Sequence, residues 1–234
     1  MHAPGDRVRL PGDDARKLLL VLRARSGDPL EVIDSGGRVF AATLAVDGTV
    51  ASAALEREVA APAPPRPAIT LAQGLPKGAK MDFVVEKATE LGVGRILPFV
   101  SARTVGDGDR SGRLERWRRL AKSAAQQCGR SEVPDVAAPL DFAGLIASFA
   151  HVDVALVPWE LADPAPLRET LPAALAGAAS VLVAIGPEGG FSAEEAAAAQ
   201  AAGARLISLG RRILRTETAG LVTCSAIYYA SGEL

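Results

Sequence analysis

Two short stretches hold most of the residues able to do chemistry. Gly186-Pro187-Glu188-Gly189-Gly190-Phe191-Ser192 follows the apolar run Val181 to Ile185, and Ser192 with Glu195 three positions on predicts a capping box that starts a helix. Glycines just past an apolar run let a backbone approach a ligand with no Cβ in between, the arrangement of a cofactor site, though taken alone the run also fits a tight strand-to-helix turn. The second stretch is Leu209-Gly210-Arg211-Arg212-Ile213-Leu214-Arg215-Thr216-Glu217-Thr218-Ala219, with three arginines and one carboxylate in one loop. Thr216 or Thr218 as a helix cap and Glu217 as a first-turn acid account for those residues structurally. The arginines are left crowded near a positive helix end, and an anionic substrate would give them a purpose.

Neither stretch is a dinucleotide fingerprint or a triphosphate loop: the Gly-x-Gly-x-x-Gly spacing is missing, and no Gly-Lys-Ser/Thr ending follows. A nucleotide-dependent oxidoreductase therefore lacks its central feature. The elements that must position both loops read as alternating strands and helices. Strands are predicted over Ala68 to Gln73, Arg95 to Val100, Val152 to Val157, Val181 to Ile185 and Arg205 to Ser208. Helices are predicted over Met81 to Leu91, Leu114 to Cys128, Leu140 to Ser148, Ala193 to Ala202 and Thr218 to Ala230. That alternation predicts an α/β domain with a mostly parallel sheet, covered on both faces. Before it, Asp13-Asp14 can cap a helix carrying Leu18, Leu19 and Leu22, and strands over Leu30 to Ile33, Arg38 to Leu44 and Val50 to Leu55 suggest a small β-barrel. The prolines at 62, 64, 65 and 67 forbid a helix or central strand, so the chain divides into 1–61, a linker 62–67, and 68–234.

Composition sets the outer limits. The 234 residues are 49% hydrophobic and 23% charged with a net charge of −1, which excludes a disordered or disulfide-stapled chain. No apolar run approaches the ~20 residues that cross a bilayer. The start shows no basic-then-apolar leader, so a cytoplasmic location and free thiols are expected. With two cysteines and two histidines far apart, no metal site is expected. Cys128 and Cys224 read as small core residues. The run Arg103 to Arg130 concentrates basic residues (Arg103, Arg110, Arg113, Arg116, Arg118, Arg119, Lys122, Arg130) over Asp107, Asp109 and Glu115, either a phosphate-binding face or a solvated helix surface. Trp117 within it reads as a packing residue before a base-stacking one, and Lys87 and Glu90 as a helix-surface pair.

The two loops, with Gly74-Leu75-Pro76-Lys77-Gly78, Lys87-Ala88-Thr89-Glu90-Leu91-Gly92 and Gln127-Cys128-Gly129-Arg130 upstream, closely resemble the RsmE family of ribosomal RNA small subunit methyltransferases, in the SPOUT superfamily. The resemblance covers nearly the whole chain. It implies a PUA-like RNA-binding barrel, a SPOUT-type parallel sheet whose C-terminal segment forms a trefoil knot, and a homodimer. It further implies S-adenosylmethionine as cofactor and methylation of N3 of one uridine, the 1498 position of 16S rRNA. Carried over, the cofactor would be held by Ile185, Gly186, Pro187, Gly190, Leu209, Gly210, Ile213, Leu214 and Thr216, with Glu160 from a third wall. Arg215, Arg211 and Glu217 would be catalytic, and Arg23, Lys77, Arg103, Arg130 and Arg212 would meet RNA; Lys80, at a loop-to-helix entry, reads as a second RNA contact or as part of a structural turn. Lys17, Ala102 and Gln126 depart from the family pattern outside the cofactor loops, where they bear on RNA docking. Two other readings share these motifs: a non-catalytic RNA-binding or ribosome-assembly factor, and a SPOUT enzyme acting at another RNA position.

Overall fold

The computed structural model describes residues 2–104, 111–159 and 166–234. The chain divides into two compact units, Met1–Ala63 and Pro64–Leu234, and the break falls inside the proline-rich stretch.

The first unit is a four-stranded antiparallel sheet in the order β1-β4-β3-β2, built from β1 (Arg7–Arg9), β2 (Pro29–Ile33), β3 (Val39–Asp47) and β4 (Val50–Val59). Alternation along β3 and β4 buries Phe40, Ala42, Leu44, Ala51, Ala53 and Leu55. Strand β1 was not anticipated, and β3 and β4 run longer than their apolar segments because the hairpin register carries the pairing from Asp47↔Val50 at the turn to Val39↔Val59 at the far end. The single helix expected from Asp13 is shorter than its sequence pattern. Helix α1 (Gly12–Arg16) is followed by a wider-wound turn over Lys17–Val21, which packs Leu18 and Leu19 inward and leaves Leu20, Val21 and Leu22 exposed. Pro11 stands at the N-cap, with Asp13 and Asp14 in the first turn.

The second unit is a six-stranded, all-parallel sheet in the order β10-β8-β9-β5-β6-β7. Its strands are β5 (Ala68–Gly74), β6 (Arg95–Phe99), β7 (Asp135–Val136), β8 (Val154–Pro158), β9 (Ser180–Ile185) and β10 (Arg205–Ile207). Helices α2 (Lys80–Leu91), α3 (Ser111–Cys128), α5 (Leu167–Leu175) and α7 (Thr216–Ala230) contribute to the core on one face. Helices α4 (Phe142–Ser148) and α6 (Ala193–Ala201) contribute to the core on the other. The central strand β9 shows why its sequence is an unbroken apolar run. Val181, Val183 and Ile185 enter the first core, Leu182 and Ala184 the second. Trp117 is buried in the first core, and Lys87 Nζ lies 2.8 Å from Glu90 Oε1.

Two elements were not anticipated: α5, whose Pro172 breaks the helix signal, and β7, only two residues long. One cysteine departs from expectation. Cys224 is buried, and burial pushes its thiol up to about 12, but Cys128 is exposed at the end of α3. Among the described residues no group could hold a metal ion, and no helix is long and apolar enough to cross a membrane.

Candidate active site

Parallel strands deliver their following loops to one end of the sheet, and here the carboxyl ends of β5, β6, β9 and β10 bring the two chemical stretches together. The first loop, Gly186 to Phe191, is fixed at several points. Ser192 Oγ accepts from Glu195 N–H at 3.1 Å, and Glu195 Oε2 accepts from Ser192 N–H at 2.9 Å, the expected capping box. The same carboxylate reaches further than the motif required: Oε1 accepts the Ala102 N–H at 2.8 Å, tying α6 to the segment after β6. Arg103 Nη1 donates to the Gly189 carbonyl at 2.9 Å and to the Phe191 carbonyl at 3.4 Å. Phe191 is buried and stacks on Phe99 with centroids 5.9 Å apart.

The glycines are needed for close approach. A Cβ on Gly74 would lie 2.6 Å from Pro187 N, and one on Gly186 would lie 3.0 Å from Gly190 C. The loop therefore lies flush against the end of β5. Glu188 at its tip accepts from Lys77 N–H at 3.0 Å and from Lys80 Nζ at 2.9 Å. Burial pushes the Glu188 carboxyl up, but those two hydrogen bonds, its own backbone N–H and the charge of Lys80 together outweigh it and hold it below its ordinary 4.5.

The second loop, after β10, is open. Gly210 adopts φ +98°, and its N–H donates to Ser208 Oγ at 3.2 Å. Arg211, Arg212, Ile213 and Arg215 are exposed, Ile213 to 86%, while Leu209 and Leu214 pack against the first core. Arg215 occupies the N-cap position of α7, so Thr216 is the first helical residue rather than a cap. Its hydroxyl donates to the Gly186 carbonyl at 2.6 Å and accepts from Gln73 Nε2 at 2.8 Å, joining both loops to the end of β5. Glu217 follows in the first turn. Its Oε2 is buried without a hydrogen-bond partner among the described residues and lies 3.7 Å from Lys80 Nζ.

Gly186, Pro187, Gly190 and Thr216 thus meet at one junction, and Ile185, Leu209 and Leu214 pack in the core beneath it. Gly210, Arg211, Ile213 and Arg215 stand on the exposed loop that leads to it, with Lys77, Lys80 and Glu217 linked around Glu188. Arg103 is at the same end of the sheet, with its guanidinium engaged by loop carbonyls. Arg212 is on the open loop. Arg130 is elsewhere: it donates to the Thr89 and Val93 carbonyls at 2.8 and 2.9 Å, where α2 ends and β6 begins, at the opposite end of the sheet. Arg23 belongs to the first unit, exposed with φ +54°. Glu160 lies outside the described residues, as do Asp107, Asp109 and Arg110. Sequence reasoning passed over Gln73 and the anchoring of Glu188. The available signal was a polar amide at an inward position of the apolar strand Ala68–Gly74.

This arrangement, a parallel sheet with two cofactor-type loops tied at its carboxyl end, has close relatives. Residues 63–228 match the RNA methyltransferase domain family. The chain is 33% identical over 221 residues to a ribosomal RNA small subunit methyltransferase E of Mycobacterium bovis, covering 92% of this chain and 84% of that protein. It is 36% identical over 167 residues to the Bacillus subtilis protein of the same name, covering 69% of this chain and 65% of the relative, just under two thirds. A Neisseria gonorrhoeae ribosomal RNA small subunit methyltransferase E, crystallised bound to S-adenosylmethionine, superposes with a TM-score of 0.87 at 30% identity, over 98% of this chain and 94% of that one. The chain belongs to the ribosomal RNA small subunit methyltransferase E family.

Proposed function

We propose that this protein uses S-adenosylmethionine to methylate N3 of a single uridine, the 1498 position, in the 16S rRNA of the small ribosomal subunit. The observation that carries the reading is the joint between the loops: Thr216 Oγ1 to the Gly186 carbonyl, 2.6 Å. It makes one wall from backbone at Gly186, Pro187 and Gly190 and from the apolar residues Leu209, Ile213 and Leu214. That wall suits a flat, uncharged adenosine. The exposed Ile213 and the open space around Gly210, where an added Cβ would meet nothing within 4 Å, leave room for a ligand on the loop's outer side. The buried Glu217 Oε2 beside it, within ion-pair reach of Lys80 but with no hydrogen bond among the described residues, suits a site where a proton must be received.

S-adenosylmethionine supplies a methyl group already activated on a sulfonium, so the chain's own task is to align the acceptor and manage one proton. The N3 proton of uracil is weakly acidic, and a stacked or paired base hides it, so the uridine must be splayed out. Arg215 and Arg211, exposed on the open loop, bind a phosphate or a uracil carbonyl oxygen and stabilise the uridinate, while Glu217 accepts the N3 proton. Lys77, Lys80, Arg103 and Arg212 border the same end of the sheet. Arg212 is exposed on the open loop for RNA phosphates, whereas Lys80 is held by Glu188 and Arg103 by loop carbonyls, so those two would meet phosphate only in addition to these contacts. Arg23 and Arg130 would require a second area of contact.

The same reading includes a trefoil knot, a PUA-like first unit, a homodimer and work in the cytoplasm. The knot is supported by the path of the chain, which leaves the sheet at the edge strand β10 and returns past β9 to start α7 at Gly186 and Gln73. The dimer is supported by α7, which carries no charged residue after Glu217, yet exposes Val222 and Tyr229 among Thr218 and Ser225 on its outer face. A second copy would cover that stripe.

Nucleoside mass spectrometry of 30S subunits lacking the modification, incubated with the protein and S-adenosylmethionine, is expected to find 3-methyluridine at one position. Another methylated nucleoside, or the same one elsewhere, overturns the specificity. No product together with no cofactor binding by calorimetry favours the non-catalytic assembly factor. In Glu217→Gln, turnover is expected to fall by about 10²- to 10⁴-fold with cofactor affinity kept, and near wild-type turnover removes Glu217 as proton acceptor.

A further inference from the structure

On the face of β5 that meets α7, Ile69 and Leu71 are apolar, and the next position in register is Gln73. Its neighbours across the sheet are Ile185 on β9 and Pro98 on β6, and Gly220 of α7 lies over it, so close that an added Cβ would be 3.4 Å from Gln73 Oε1. The side chain is fully buried. An apolar residue would satisfy this environment without desolvating an amide.

The amide's hydrogen bonds explain its presence. The single hydroxyl proton of Thr216 goes to the Gly186 carbonyl at 2.6 Å, so the hydroxyl must accept from Gln73 Nε2 at 2.8 Å, which fixes the amide's orientation. The second Nε2 proton reaches the Gly74 carbonyl at 3.2 Å, and Oε1 has no partner among the described residues. All three bonds of this relay therefore serve residues at the loop junction: Gly74, which lies flush on Pro187, Thr216, which opens α7, and Gly186, which opens the first loop.

We propose that Gln73 is a positioning residue for the donor site: through Thr216 it holds the Gly186 carbonyl and the start of α7 in one arrangement, so the two loops form a single wall before any ligand arrives. This rests on the donor-binding reading above. A relay of this kind lowers the ordering cost of binding one ligand and leaves docking of the other substrate untouched.

The test uses the full-length protein with S-adenosylmethionine and 30S subunits, comparing wild type, Gln73→Met, Thr216→Val and the double variant. Gln73→Met keeps the volume and removes the donor. The expected result is a KM and Kd for S-adenosylmethionine raised about tenfold, an unchanged KM for the subunits, and a double variant no weaker than the worse single one. Unchanged donor affinity in Gln73→Met, or a parallel rise in both KM values with additive effects, reduces Gln73 to a packing residue and overturns the proposal. Should Gln73→Met not fold, Gln73→Leu takes its place, because Thr216 is itself placed among the cofactor-holding residues. Donor affinity within twofold of wild type in Gln73→Leu or in Thr216→Val overturns the proposal. Wild-type protein that binds no S-adenosylmethionine sinks the donor-site reading itself, an outcome distinct from equal binding by wild type and variants.

Discussion

The loop after β9 and the loop after β10 meet at one hydrogen bond yet are built in opposite ways. The first is held along its length: by Glu195 at its exit, by Arg103 on its carbonyls, by Lys77 and Lys80 on Glu188, and by the buried ring of Phe191. The second is held at its ends, by Ser208 and Thr216, and between them displays three arginines and an isoleucine to solvent. A wall that must present fixed backbone groups to a small ligand gains from preorganisation, and a surface that must follow a flexible polynucleotide gains from freely placed guanidinium groups. The division of labour proposed for the two loops matches which side chains are already engaged.

Three substitutions test that contrast. Gly74→Ala is expected to have the largest effect, because its Cβ would sit 2.6 Å from Pro187 N and 2.9 Å from Gly186 C, both of them backbone. The crowding should cost about 1–3 kcal/mol in thermal unfolding and weaken donor binding as well. Gly210→Ala is the control from the open loop: its Cβ meets nothing within 4 Å, so only the φ of +98° resists it, at about 1 kcal/mol. Equal losses in the two variants would erase the distinction between a packed and a free loop. Next, Arg212→Ala should leave donor affinity unchanged, weaken RNA binding several-fold, and reduce the slope of log affinity against log salt by about 0.7, measured by filter binding. A slope unchanged by the substitution removes Arg212 from the phosphate contacts.

The smallest effect concerns the tip of the fixed loop. Because the folded Glu188 carboxyl lies below 4.5, its link to Lys80 stabilises the protein above that pH and is lost as the pH falls through the depressed value. The Lys80 ammonium is raised above 10.5, chiefly by the hydrogen bond to Glu188, so the same link fades on the alkaline side only above that. Lys80→Met should therefore melt slightly lower than wild type near neutral pH, and the gap should close as the pH falls below 4.5 through the depressed Glu188 value. A gap that widens in acid contradicts the assignment.

The first loop was legible in the sequence because its boundaries are local: an apolar run on one side and Ser192 with Glu195 on the other. The parallel sheet was legible for the same reason, since each strand's hydrophobicity reports its own burial. The junction was not, because Gln73, Gly186 and Thr216 meet through tertiary structure and share no periodicity. The structural task of Arg130 was not legible, because a guanidinium that closes the end of α2 through the Thr89 and Val93 carbonyls has the same letter as one that binds phosphate. Cys128 was misjudged from residue type alone, and the wide turn over Lys17–Val21 carries apolar residues at helical spacing while exposing half of them.

The bond from Gln73 to Thr216 spans 143 positions. During synthesis, strand β5 leaves the ribosome long before the residue that completes its hydrogen bonding has been translated, and until then a polar amide waits in an otherwise oily layer. A chain cut short before the last helix would lack the Thr216 hydroxyl that accepts from Gln73 and, on the function proposed above, would have no finished pocket for the donor.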